Sequence, residues 1–267
     1  MSQVSIQTTS SSIRELWQYR ELFYFMVWRD IKIRYKQSLL GGLWAIIQPF
    51  GIMLVFTLFF NKLAGIDSGN VPYPIFSYSA LLPWTYFSSA ISQMGNSLVN
   101  NQHLITKVYF PRSTIPVASA IRGLVDFGIA WVLLLALMIY YHFVPSWMLA
   151  LWIVLLVPLF MLTLGVGMLF AALNVRYRDI QHVLPFIVQI WLFVTPIIWP
   201  MQMVPEKWRT WMGLNPLAGI IEAFRACVVS KPIDIGLLGV SLATTAMIFT
   251  IGALYFRRTA RSFADVI

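Results

Sequence analysis

Charge is scarce in this chain. Asp, Glu, Lys and Arg make up 11% of its 267 residues, against about 25% in a soluble domain, so a water-facing surface could not be covered. A mean hydropathy of +0.74, with 59% hydrophobic residues, leaves lipid as the solvent. Acidic residues are the scarcest charges, 10 against 19 basic ones, for a net charge of +9. That excess does not mark a nucleic-acid partner, because most of the basic residues sit in short segments beside apolar stretches, where they set orientation in a bilayer. A single cysteine, Cys227, excludes an internal disulfide framework, and its apolar surroundings read as those of a buried, inert thiol. His103, His142 and His182 are isolated, and HExxH, CxxC and phosphate-loop patterns are all missing. The chain therefore offers no catalytic residue, no metal site and no nucleotide site of its own. Internal repeats are also missing, so the inverted-repeat architecture of many secondary transporters has no support.

What is present is length without charge. Leu39 to Phe60 carries no ionisable residue, and roughly twenty helical residues cross a hydrocarbon core about 30 Å thick. Candidate spans are 39–60, 75–99, 115–141, 147–173, 183–200 and 235–256. Six spans place both termini on one side. The gaps on that side hold Arg14, Arg20, Arg29, Lys32, Arg34, Lys36, Lys107, Arg112, Arg122, Arg176, Arg178, Arg257, Arg258 and Arg261; the other side holds Lys62, Lys207, Arg209, Arg225 and Lys231. The richer side is cytosolic by the positive-inside rule. Between spans five and six, the apolar run Leu214 to Val229 is interrupted by Glu222 and Arg225. It suits a re-entrant helical hairpin facing the exterior better than a seventh span, which would send Arg257, Arg258 and Arg261 outside.

The polar residues divide into four groups. Met1 to Ser12 is rich in Ser, Thr and Gln and reads as a cytosolic tail. Residues 14–36 pattern as an amphipathic interfacial helix, with Arg14, Arg29, Lys32 and Lys36 opposite Trp17, Phe23, Met26 and Ile31. Residues 1–38 thus precede a membrane domain spanning 39–267. In the third span Arg122 and Asp126 are four residues apart, on one face, and can neutralise each other near the cytosolic end. The second span mixes Ser77, Ser79, Ser88, Ser89, Ser92, Gln93, Asn96 and Ser97 with Phe76, Tyr78, Trp84, Tyr86 and Phe87. Such a mixture suits a wet passage for sugar rings, and it equally suits interhelical hydrogen bonding with interfacial aromatics. Both readings stay open.

Four motifs become informative in series: Tyr35-x-x-Ser38-x-Leu40-Gly41-x-x-Trp44 with Pro49; Asn101 to Lys107 and on to Phe110-Pro111-Arg112; Asn174-Val-Arg176-Tyr177-Arg178-Asp179; and Leu214-Asn215-Pro216 with Glu222 and Arg225. With these spacings the chain resembles the transmembrane permease subunit of type 2 ABC exporters, specifically the polysaccharide and O-antigen export family. The resemblance implies a homodimer bound to two copies of a separate ATP-binding cassette subunit, with ATP and Mg²⁺ held there and no cofactor on this chain. It implies ATPase coupling through Arg176, Tyr177, Arg178 and Asp179, headgroup contact through Arg29, Lys32, Arg34 and Lys36, and an aromatic pore drawing on Tyr78, Trp84, Tyr86 and Phe87. An exterior gate would be shaped by Asn215, Pro216, Glu222 and Arg225. The cargo would be a lipid-linked glycan of O-antigen type crossing the bacterial inner membrane. Capsular polysaccharide, teichoic acid or small amphiphilic drugs are alternative cargoes. A membrane-embedded enzyme is disfavoured, since only Asp30, Asp126 and Asp179 are scattered along the cytosolic side.

Overall fold

A computed structural model describes residues 19–36, 41–66, 69, 71–107, 110–260 and 263, all helix and connecting turns. The tail 1–12, with Arg14, Trp17, Ser38 and Leu40, lies outside the described residues. Helix α1 is Arg20–Lys36, and α2 is Trp44–Phe56, widening into a π-helical stretch Thr57–Leu63. Then come α3 (Tyr73–Asn100), α4 (Gln102–Lys107), α5 (Thr114–Tyr140), α6 (Leu151–Arg176) and α7 (Ile180–Val194). The last three are α8 (Glu206–Met212), α9 (Pro216–Val229) and α10 (Ile235–Thr259).

Helix α3 is the hub, packing on α2, α5, α6, α7 and α9. Its small residues allow this. Lipid tails are as apolar as leucine, so helices in a bilayer are held by close backbone approach rather than by expulsion from water. The α6–α10 crossing is the tightest case: a Cβ on Gly252 would stand 2.0 Å from the Gly165 carbonyl oxygen. Gly252→Ala should therefore force the two helices apart and lower the melting temperature of the detergent-solubilised chain by several degrees. Gly239→Ala, where nothing lies within 4 Å, serves as the neutral comparison.

Four described helices are long and apolar enough to cross a bilayer: Gly41–Leu63, Thr114–Tyr140, Trp147–Arg176 and Ile235–Thr259. The chain is a multi-pass membrane protein. Two of the six expected spans depart from the simple pattern. Helix α3 has 28 residues, about 42 Å, but carries a polar row. The fifth, expected over 183–200, is the 15-residue helix Ile180–Val194. It stops early because Thr195 precedes Pro196, and a residue before proline is pushed out of helical geometry.

Helix α1 also differs from expectation. Its Met26 is buried, with Leu22, Phe23 and Val27 packed into a cluster that includes Leu98, Ile115 and Phe256. The apolar face assigned to the headgroup layer is instead spent on the bundle. A second row, Tyr24, Phe25 and Trp28, stands exposed beside Arg29, Lys32 and Lys36. Spacing alone could not reveal this, because both faces of the helix carry aromatics.

Candidate functional site

A cleft of about 440 Å³ runs between α2, α3, α5 and α7. From α3 it receives Trp84, Thr85, Tyr86, Ser88, Ser89, Ser92 and Gln93; Gln48 on α2 and Gln189 on α7 face them. The spacing of Thr85, Ser88, Ser89, Ser92 and Gln93 is that of one helix face. Most of their donors are used within the helix: Thr85 Oγ1 donates to the Leu82 carbonyl, Ser88 to the Thr85 carbonyl, and Ser92 to the Ser88 carbonyl at 2.7 Å. Gln93 Nε2 donates to Ser89 Oγ at 2.7 Å. The hydroxyls thus keep acceptor lone pairs for whatever occupies the cleft.

The aromatic residues of α3 divide. Tyr78 is buried and donates to the Ala130 carbonyl at 3.0 Å. Phe87 is buried edge-on against Trp191, at 5.2 Å between centroids. Tyr86 lines the cleft with its ring, while its hydroxyl reaches the Ala120 carbonyl at 3.4 Å. Trp84 also lines the cleft.

At one end of the cleft α1 is tied to α5. Arg34 Nη2 lies 3.0 Å from Asp126 Oδ2, and the Tyr35 hydroxyl donates to Asp126 Oδ1. The Arg34 contact is close but poorly aligned, for Asp126 Oδ2 counts no hydrogen bond. Burial, and then the adjacent Asp126, push the Tyr35 hydroxyl pKa far above its ordinary value, so it stays protonated as a donor. The expected Arg122–Asp126 pair is corrected: among the described residues Asp126 takes Arg34 instead, and Arg122 Nε is buried without a hydrogen-bond partner. Proximity along a helix did not anticipate a partner from another element. Nearby, Arg29 binds Asp30 at 2.8 Å and Asn101 at 3.1 Å, and Lys32 sits over the Trp28 ring. Lys36 is exposed.

At the same end, Arg176, Tyr177, Arg178 and Asp179 form an exposed turn between α6 and α7, with the Arg176 guanidinium over the Tyr177 ring. Asn174, one turn inward and buried, donates to the Gly95 carbonyl at 2.9 Å and to Asn96 Oδ1 at 3.1 Å. The turn is thereby pinned to α3. Among the described residues no group of His, Cys, Asp and Glu could hold a metal.

The opposite end is built on α9. Asn215 caps it by accepting from the Leu217 amide at 3.2 Å, and Pro216 fills the first helical position, where a missing N–H costs nothing. Asn215 also accepts from Trp191 Nε1 at 2.9 Å and donates to Thr195 Oγ1 at 3.0 Å, holding the end of α7. Arg225 is buried, bonded to Glu222 at 2.8 Å and to the carbonyls of Pro196 and Ile197 at 2.7 and 2.9 Å, over the Phe76 ring.

Residues 21–229 match the ABC-2 type transporter family model. The chain belongs to the ABC-2 type transporter family. It is 33% identical over 217 residues, 80% of this chain and 82% of the relative, to the O-antigen export system permease protein RfbA of Myxococcus xanthus. It is 26% identical over 243 residues, 90% and 92% of the two chains, to the protein of that name from Klebsiella pneumoniae. The polysialic acid transport protein KpsM of Escherichia coli is 26% identical over 232 residues, 85% and 87% of the two chains.

In this ABC-2 chain the structure groups the singled-out residues at two ends and along one helix face. Arg34 and Asp126 share the cleft with Trp84 and Tyr86; Tyr78 and Phe87 are packed away from it. Gln48, Thr85 and Gln189 escaped notice in the sequence, although the spacing of Thr85 from Ser88 and Ser92 is a readable signal. Gln48 and Gln189, on different helices, gave none.

Proposed function

We propose that this chain is the membrane-spanning subunit of an ATP-driven exporter that carries a lipid-linked polysaccharide of O-antigen type across the bacterial inner membrane. The polar face of α3, opening on a cleft within an otherwise apolar bundle, carries the reading: serines and glutamines in lipid need a wet neighbour, and a hydroxylated chain is one. The names of the relatives supply the cargo class. The resemblance to KpsM favours capsular polysaccharide as the second reading.

On this reading both termini are cytosolic, α3 and α7 complete six spans, and α8 with α9 form the exterior re-entrant hairpin that gates the path. Two copies join at the cleft face, where α7 leaves Val183, Phe186 and Ile190 exposed. ATP and Mg²⁺ are held by two partner ATPase subunits. These seat on the Arg176–Asp179 turn, whose anchorage through Asn174 gives a rigid route from the partner's motion into α3 and α6. The basic exposed face of α1, with Arg29, Lys32 and Lys36, meets anionic headgroups and the anionic end of the cargo.

Deleting the chain should strand the glycan in the cytosol, and the chain should co-purify with an ATP-binding cassette protein. Surface glycan in the deletion strain would refute the proposal. Arg178→Ala with Asp179→Ala should leave the folded subunit at native abundance while export falls about tenfold. Native export from that double variant would remove the turn from the coupling path.

A further inference from the structure

A second cavity, of about 350 Å³, lies at the Asn215 end between the start of α3, the turn at Pro200–Gln202, α9 and the start of α10. Its size falls in the lower part of the range of about 300–1,000 Å³ that holds small ligands. Three basic residues, Arg209, Arg225 and Lys231, and two acidic ones, Glu222 and Asp234, line it together with Gln202. Arg225 and Glu222 form its inner wall, while Arg209, Lys231 and Asp234 stand at the more exposed rim, so charge of both signs runs from floor to mouth.

These groups are only partly used by the fold. Glu222 Oε2 accepts from Arg225 Nη1. Asp234 Oδ1 accepts from the Leu237 amide as the cap of α10. Each therefore retains one carboxylate oxygen. Arg209 donates from Nε to the Val204 carbonyl and stands 3.9 Å from Glu206. Lys231 enters no ion pair among the described residues; the left-handed Ser230, at φ 60°, ends α9 and turns the following chain to the cavity wall. The balance of charge selects the ligand class. A phosphate would face two carboxylates and a metal cation would face three bases, whereas a sugar hydroxyl both donates and accepts and can meet each kind of group.

We infer that this cavity binds a single unit of a neutral saccharide through its hydroxyls, acting as a holding point on the exterior side of the path. The inference rests on the export reading, which sets the cargo and puts this end outside. It adds a site on each subunit apart from the cleft between α2, α3, α5 and α7.

The test uses the full chain in cells that synthesise the glycan, with the ATPase partner present. Cys227 is buried, so background thiol labelling is low. Gln202→Cys reports from the cavity wall, and Glu206→Cys, at a side chain 91% exposed, reports from outside it. During export a membrane-impermeant maleimide should label Gln202→Cys at least threefold more slowly than when glycan synthesis is blocked, with Glu206→Cys unchanged. Adding Lys231→Ala and Asp234→Asn, the latter a substitution that keeps the helix cap, should abolish that protection. Equal labelling with and without glycan, while surface glycan accumulates, would overturn the site and leave the export reading standing. Surface glycan in cells lacking the chain would overturn both.

Discussion

Arg225→Ala should remove folded protein from the membrane. The guanidinium bonds Glu222 and the carbonyls of Pro196 and Ile197, and it is buried, so these bonds are made inside the protein. Glu222 is partly exposed at the cavity wall, so loss of the ion pair costs less than the about 3–5 kcal/mol of a fully buried one. Two orphaned carbonyls add to that. These carbonyls lie where α7 gives way to the proline-broken segment, so the loss should free the end of α7 from α9. Size-exclusion profiles of the solubilised variant should show aggregate in place of the native peak. Arg225→Lys should recover only part of the native amount, since an ammonium lacks the forked donors that reach three oxygens at once. A native profile and melting temperature for Arg225→Ala would show that the α7–α9 junction is held by packing alone.

Ser88→Leu together with Ser92→Leu should reduce export at least tenfold in a subunit that folds and still binds its ATPase. Both hydroxyls bond their own helix, so no partner on another element is lost, and leucine is comfortable in a bilayer. What changes is the lining of the cleft, from a row of oxygens to hydrocarbon. Tyr78→Phe makes the contrast, because the Tyr78 side chain is buried, does not line the cleft, and gives its hydroxyl hydrogen to a backbone carbonyl. That change should cost about 0.5–1.5 kcal/mol of stability, with export preserved. Surface glycan measured against subunit abundance separates the two outcomes, and normal export from the double serine variant would place the path elsewhere.

These residues show how far the sequence could be read. Apolar runs are a one-dimensional property, so 39–60, 115–141, 147–173 and 235–256 were legible to within a few residues. Proline at 196 was visible in the sequence, yet its effect on the fifth span was not, because hydropathy continues through Ile197 and Ile198 while helical geometry does not. Side-chain partners were the least legible. Arg122 and Asp126 satisfy the helical spacing rule, but Arg34 and Tyr35 reach Asp126 from 91 or more residues away in sequence. Likewise Tyr78 and Tyr86 occupy one stretch with the serines, and only packing divides the buried side of α3 from its open one. Composition reports that a helix is mixed; it does not say which neighbour each residue meets.

The brevity of α7 has a consequence for the surrounding bilayer. Its 15 residues rise about 22 Å, against about 30 Å of hydrocarbon. A helix this short draws its polar ends into the hydrocarbon unless the bilayer thins beside it or a second subunit covers it, each at a modest cost. On the proposed reading, a polymer passing Gln189 would meet a helix about a quarter shorter than the hydrocarbon is thick.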